Sequence, residues 1–166
     1  MHIILVMAVT ADGKIGKNSN HFPDWTSVED KEFFAKISKK HKIVIMGDKT
    51  FFTLPAPLPD RLNVVFTQEK NPQPIKGVKW VAGDPKKVLA ELEGLGFKSA
   101  ILGGGAYLNS LFLEQKLIDE IIITIEPKIF GQGLSIFSKD FDINLKLKEI
   151  QKLNPNSFFV RYQVLY

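Results

Sequence analysis

The amino-acid sequence predicts an α/β fold built on a mostly parallel sheet. Three features predict it. Ile3 to Val9, Ile43 to Met46 and Ala100 to Leu102 are short, wholly apolar runs, as strands covered on both faces are. Two of these runs end in glycine and pass directly into sequence with helical spacing. Near the C-terminus, Leu145 to Leu153 and Ser157 to Tyr166 flank Asn154-Pro155-Asn156, the pattern of an antiparallel hairpin. The 166 residues, 45% hydrophobic and 24% charged, suit one domain over 1–166 with a sizeable core.

Composition narrows the function. There is no cysteine, which excludes disulfides, thiolate metal sites and a thiol nucleophile. The apolar N-terminal run is too short to span a bilayer, and no basic region precedes it. A cytoplasmic, membrane-free protein is expected. The net charge of +4 comes from scattered lysines without a base-stacking aromatic array, so no nucleic-acid partner is expected. A modest positive field also suits a phosphorylated small molecule.

The first strand leads into Thr10 to Asn20, a long polar loop with glycines at 13 and 16, the form of a lid or of a surface excursion. His21 has no second ligand at metal spacing and is read as structural; no metal is expected. A helix then starts. Thr26-x-x-Glu29 is a capping box, which makes Thr26 the N-cap and Asp30 the fourth helical residue. In this register Asp30 shares a face with Phe33, Phe34 and Ile37 and faces Trp25. A carboxyl half-buried against aromatic rings has its pKa raised by desolvation and can anchor a cation or move a proton. In the competing register, Ser27-x-x-Asp30 is the box and Asp30 answers the helix dipole.

Ile43 to Met46 breaks at Gly47-Asp48-Lys49-Thr50, and Phe51 to Leu54 reads as helical. The lysine and threonine suggest a P-loop, but that motif requires glycine where Ile43 and Asp48 stand. A strand-glycine-helix junction remains, able to hold phosphate. Pro55 to Arg61 is a prolyl connector that delivers Arg61 for carboxylate recognition. Leu62 to Thr67 is a strand and Gln68 begins its polar exit; Gly77 to Val81 is a strand and Pro85 to Leu95 a helix. Then Leu102-Gly103-Gly104-Gly105-Ala106-Tyr107 hands a buried strand to a helix through main chain without Cβ atoms. The sequence is either a pyrophosphate cradle or a tight turn. Two such junctions on neighbouring parallel strands would flank one crevice, where open α/β sheets bind nucleotides. Leu117 to Pro127 is a strand that carries Thr124 among isoleucines.

Taken in order, these residues resemble the dihydrofolate reductase family over nearly the whole chain. The resemblance runs through Met7-Ala8, Ile15-Gly16, Trp25 with Asp30, Val44-Ile45-Met46-Gly47-x-x-Thr50, Pro57-Leu58-Pro59-x-Arg61, the three glycines and Thr124. It implies a three-layer fold: a twisted, mostly parallel eight-stranded sheet, an antiparallel C-terminal hairpin and about four flanking helices. It further implies NADPH-dependent reduction of dihydrofolate to tetrahydrofolate by a monomer or homodimer. By match, Asp30 would hold the pterin ring and assist protonation, and Trp25 would order a water beside it. Val6, Ala8, Lys31, Phe34, Leu54, Leu58, Arg61 and Thr124 would contact substrate, Arg61 through the glutamate carboxylate. Ala8, Ile15 and Gly16 would border the nicotinamide. Gly47, Lys49, Thr50, Thr67, Gln68 and Leu102 to Tyr107 would take the rest of the cofactor.

The sequence also departs from the family. Asp48 stands where many members carry an arginine near the 2′-phosphate. Lys31 replaces a commonly apolar residue, and Tyr107 lies one place before the usual tyrosine position. Asp12-Gly13-Lys14-Ile15, Leu117 to Glu120 and Gly131-Gln132-Gly133 resemble instead the riboflavin-pathway reductases of the same fold, which reduce a ribosylaminopyrimidine phosphate with NADPH. A non-catalytic nucleotide- or RNA-binding protein is the third reading.

Overall fold

The computed structural model describes residues 1–166. Eight strands form one sheet: β1 (His2–Thr10), β2 (Ile43–Gly47), β3 (Leu62–Phe66), β4 (Val78–Val81), β5 (Ser99–Leu102), β6 (Glu120–Glu126), β7 (Asn144–Lys152) and β8 (Phe158–Leu165). Their order across the sheet is β4-β3-β2-β5-β1-β6-β8-β7. The first six are mutually parallel; β8 runs antiparallel to β6 and to β7. Four helices accompany them: α1 (Val28–His41), α2 (Asp48–Phe51), α3 (Pro85–Gly94) and α4 (Ala106–Glu114).

The pleat sorts the apolar runs into two cores. Ile3, Leu5, Ile43, Ile45 and Leu102 face one way and pack with Val88, Leu92 and Phe112 of α3 and α4. Ile4, Val6, Val44, Met46 and Ile101 face the other way and pack with Phe33, Phe34 and Ile37 of α1. Successive residues of one strand are thus buried on opposite faces, which is why these runs carry no polar alternation. The outer strand β7 is exposed along its length, and its pairing with β8 shifts between Leu147 and Glu149.

Two boundaries differ from the sequence reading. Helix α1 is capped by Ser27, whose Oγ accepts the Asp30 N–H at 3.2 Å, so Asp30 is the third helical residue. Helix α2 begins at Asp48 and takes in Lys49 and Thr50; Phe52 to Leu54 form only a turn.

Parallel order puts the carboxyl ends of β1, β2, β3 and β5 at one end of the sheet, where open α/β folds bind ligands. The two glycine junctions are neighbours there. Gly103 N–H donates to Ile45 O at 2.8 Å, and Gly47 N–H donates to Gly104 O at 2.8 Å. No helix is long and apolar enough to cross a membrane.

Candidate active site

A cleft of about 1350 Å³ opens across these strand ends. It exceeds the roughly 300–1,000 Å³ of a pocket for one small ligand, so it has room for two molecules side by side. Among the residues named from sequence, Val6, Ala8, Ile15, Gly16, Trp25, Asp30, Lys31, Phe34, Leu54, Leu58 and Arg61 line it. So do Gly47, Lys49, Thr50, Thr67, Gln68, Gly103, Gly105, Ala106 and Tyr107. Three do not. Leu102 turns into the core against α3 and α4, Gly104 is buried beneath the turn, and Thr124 is 1% exposed behind Asp30.

Asp30 is only 8% exposed, although a carboxyl of ordinary pKa is ionised at neutral pH. In a reciprocal capping box its carboxylate would bond the N–H of the cap residue. Here Glu126 takes that role. Its Oε1 accepts both the N–H (2.9 Å) and the hydroxyl (2.7 Å) of Ser27, and its Oε2 accepts the Ser157 hydroxyl at 2.8 Å. Glu126 is itself 2% exposed at the end of β6. The Asp30 carboxyl is therefore released from capping and left beside the cleft. Burial pushes its pKa up. Thr124 and Thr26 oppose the rise, the neighbouring Glu126 charge adds to it, and Lys31 opposes it.

Two buried polar atoms at this end have no partner: Trp25 Nε1 and Thr124 Oγ1. The Thr124 hydroxyl lies near enough to Asp30 to favour its charged form, yet it makes no hydrogen bond of good geometry. A buried donor or acceptor left unmade costs about 1–3 kcal/mol, so such atoms mark a place that expects a ligand or water. The indole itself is held edge-on against Phe130, with ring centres 5.1 Å apart.

Arg61 stands at the mouth, half-buried and steered from two sides. Its Nε donates to Pro59 O at 2.8 Å and its Nη1 to the buried Ser38 hydroxyl of α1. Its Nη2 makes no bond within the protein, which leaves donors for an incoming carboxylate. Lys31 is exposed and gives its ammonium to Asp24 O at 3.3 Å.

The loop after β1 is tied down. Asp12 accepts from the Thr10 hydroxyl (2.5 Å) and from the N–H groups of Phe130 (3.2 Å) and Gly131 (2.7 Å). The Thr10 hydroxyl, with these two N–H groups, lowers the Asp12 pKa. Ile15 N–H donates to Leu134 O and Leu134 N–H to Gly16 O, at 2.9 and 2.8 Å. His21 accepts the Lys17 N–H on Nδ1, packs on Phe130 and lines the cleft.

At the far end of the cleft the sequence reading missed the β4–α3 corner, where Gly83 and Asp84 form part of the wall. Nothing in the spacing brought that corner to the cleft.

The RibD C-terminal domain model matches residues 1–159. The chain belongs to the RibD C-terminal domain family. A dihydrofolate reductase of Buchnera aphidicola is 31% identical over 99% of this chain and 98% of its own length. Among solved structures, Acinetobacter baumannii RibD superposes with a TM-score of 0.85 at 19% identity, over 99% of this chain and 58% of that one. Enterococcus faecalis dihydrofolate reductase complexed with NADP(H) gives 0.74 at 20% identity, over 98% and 96%. The expected fold, a dihydrofolate reductase-like sheet with its C-terminal hairpin, is the fold observed. The family is one of oxidoreductases.

Proposed function

We propose that this protein reduces dihydrofolate with a reduced nicotinamide dinucleotide. The observation that carries this reading is Asp30: a buried carboxyl, excused from capping by Glu126, beside the Thr124 hydroxyl, which like the Trp25 indole N–H of the same cleft has no partner. A pterin offers an amino group and a ring nitrogen on one edge, which a single carboxylate binds through two charge-assisted hydrogen bonds. Phe34, Leu54 and Leu58 supply apolar walls for the rings, and Arg61 supplies a cation for a carboxylate at the mouth.

The residues fit a dinucleotide on a structural observation. A methyl group on Gly47 would meet nothing within 4 Å, so bare main chain faces the cleft beside the glycine turn of β5. Gly47, Thr50, Gly103, Gly105 and Ala106 would hold it there, with Ala8, Ile15 and Gly16 at the reacting end. NADPH is the form that the family resemblance implies. When bound, it supplies the hydride. The protein's own part is to orient the ring that accepts the hydride, hold a negative charge against its protonated form, exclude water with the Trp25–Phe130 pair, and offer Asp30 for proton relay.

A second reading is reduction of a ribosylaminopyrimidine phosphate. The family match and the pairing of the Asp12 loop with Phe130 and Gly131 favour it. One experiment separates the two: spectrophotometric loss of reduced nicotinamide with dihydrofolate, against the same with the aminouracil phosphate. Turnover of the second substrate alone would reverse the assignment.

Arg61→Ala is expected to raise the KM for dihydrofolate about tenfold to a hundredfold, the worth of a charge-assisted hydrogen bond or two, with little change in dinucleotide KM. Steady-state kinetics with each substrate varied in turn checks this. Equal effects on both would remove Arg61 from the substrate end.

A further inference from the structure

The dinucleotide reading fixes which end of the cleft the second nucleoside would occupy. Ala8, Ile15 and Gly16 lie at the β1 side with Asp30, and the glycine junctions of β2 and β5 come next across the sheet. What remains is the stretch over β2, β3 and β4. Its wall includes Asp48, Lys49, Thr67, Gln68, Gly83 and Asp84.

Asp48 is the fixed point of that wall. It follows Gly47 at the end of β2, and the register Gly47↔Phe66 sets it beside Thr67 at the end of β3. Its Oδ2 accepts the Thr67 hydroxyl at 2.8 Å and its Oδ1 accepts the Lys49 N–H at 2.7 Å. Thr67 is in turn held by the Glu69 N–H at 3.1 Å. A carboxylate has about four acceptor positions, so each oxygen keeps one for a hydroxyl donor. Asp84 adds a second carboxylate, with Oδ1 capping α3 through the Lys86 N–H. Lys49 is the one cation in this part of the wall; it is exposed, and its ammonium makes no ion pair.

The ribose of an adenosine dinucleotide presents hydroxyls, which donate to a carboxylate. A 2′-phosphate presents nearly two negative charges and no good donor. In Rossmann folds an acid bonds the ribose 2′-hydroxyl and an arginine accommodates the 2′-phosphate, and the same charge logic applies to any ribose site. Here two acids, Asp48 and Asp84, and one exposed ammonium line this part of the cleft, so the residues fit the dinucleotide but not its 2′-phosphate.

We propose that Asp48 is a specificity-determining residue that makes this protein select NADH over NADPH. This rests on the dinucleotide reading of the cleft and corrects only the form of the cofactor. Asp48 bonds the ribose hydroxyls of NADH from a position pinned by Thr67, and repels the 2′-phosphate of NADPH.

Equilibrium titration followed by tryptophan fluorescence, with NADH, NADPH, ADP-ribose and 2′-phospho-ADP-ribose as probes, tests this without turnover. NADH and ADP-ribose are expected to bind about tenfold or more tighter than their 2′-phosphorylated counterparts, a modest figure for like charges a few ångströms apart. Asp48→Asn removes the charge, and its amide can still accept from the Lys49 N–H and pair with Thr67. It is expected to narrow the gap, mainly by tightening NADPH. Asp48→Arg is expected to invert it. Equal or tighter binding of NADPH by the unaltered protein overturns the proposal, as does a gap that Asp48→Asn leaves unchanged. If none of the four probes binds, the dinucleotide reading itself is lost.

Discussion

Asp30→Asn is expected to lower the rate of dihydrofolate reduction at pH 7 by about 10²–10⁴-fold, the usual worth of a placed proton-transfer group. The loss should shrink as pH falls, because substrate then arrives already protonated and depends less on the enzyme for its proton. The same substitution should stabilise the fold. Desolvation raises the Asp30 pKa, so the burial of this carboxyl is favourable while it is protonated. That contribution is complete below the ordinary carboxylate range and is lost as pH rises through the raised value. At neutral pH a neutral amide escapes the cost of a buried charge, so Asp30→Asn should melt above the unaltered protein. Below the ordinary carboxylate range the gain should vanish. Thermal melts at several pH values, read beside the pH–rate profile, check both halves. Full activity of the variant at pH 7 would remove Asp30 from the chemistry. A variant that melts lower at every pH would mean that the carboxylate is a structural acceptor.

This opposition of stability and activity explains which parts of the site were legible in the sequence. The apolar strands were legible because burial on both faces leaves no polar residue in the run, as in Ile43 to Met46. The two glycine junctions were legible because missing Cβ atoms are written directly in the chain, and parallel neighbours were the simplest way to pair them. Asp30 was legible as an acid on an apolar face. Its register was not. Local spacing favoured Thr26 over Ser27 as the cap, and the choice falls instead to Glu126, which is 99 residues from Ser27 in sequence and binds its N–H and hydroxyl. No local pattern encodes that contact. Asp48 gave the same difficulty. Sequence showed a misplaced acid; only the pairing of β2 with β3 showed that Thr67 holds it. The Thr10 to Asn20 loop read equally as a lid or as a surface excursion, and no local pattern showed that Asp12 ties it to the main chain at Phe130 and Gly131.

Gly104→Ala is expected to destabilise the protein by about 1–3 kcal/mol, the cost of holding an L side chain in a poorly populated backbone region. Gly104 has φ +92°, and an added Cβ would lie 3.2 Å from the Met7 sulfur and methyl. For a domain of this size each kcal/mol lowers Tm by about 2–4 °C. The damage should spread, because Gly104 O accepts the Gly47 N–H and so joins the two junctions that form the cradle. Dinucleotide affinity should fall with stability. That outcome alone does not separate a broken fold from a blocked site, and Gly47 makes the separation. Its φ of −79° suits any residue, and a methyl there meets no protein atom within 4 Å. Gly47 is half-buried and caps α2 without a side-chain bond, so Gly47→Ala should cost less than about 1 kcal/mol. Yet its methyl projects into the space assigned to the cofactor, so dinucleotide binding should weaken about tenfold or more, a loss of some 1.4 kcal/mol. Melting curves and titrations on the two variants give four numbers. Gly104→Ala should lose both properties and Gly47→Ala only the second. Undiminished dinucleotide affinity in Gly47→Ala would mean that the main chain at the end of β2 is open for some other reason.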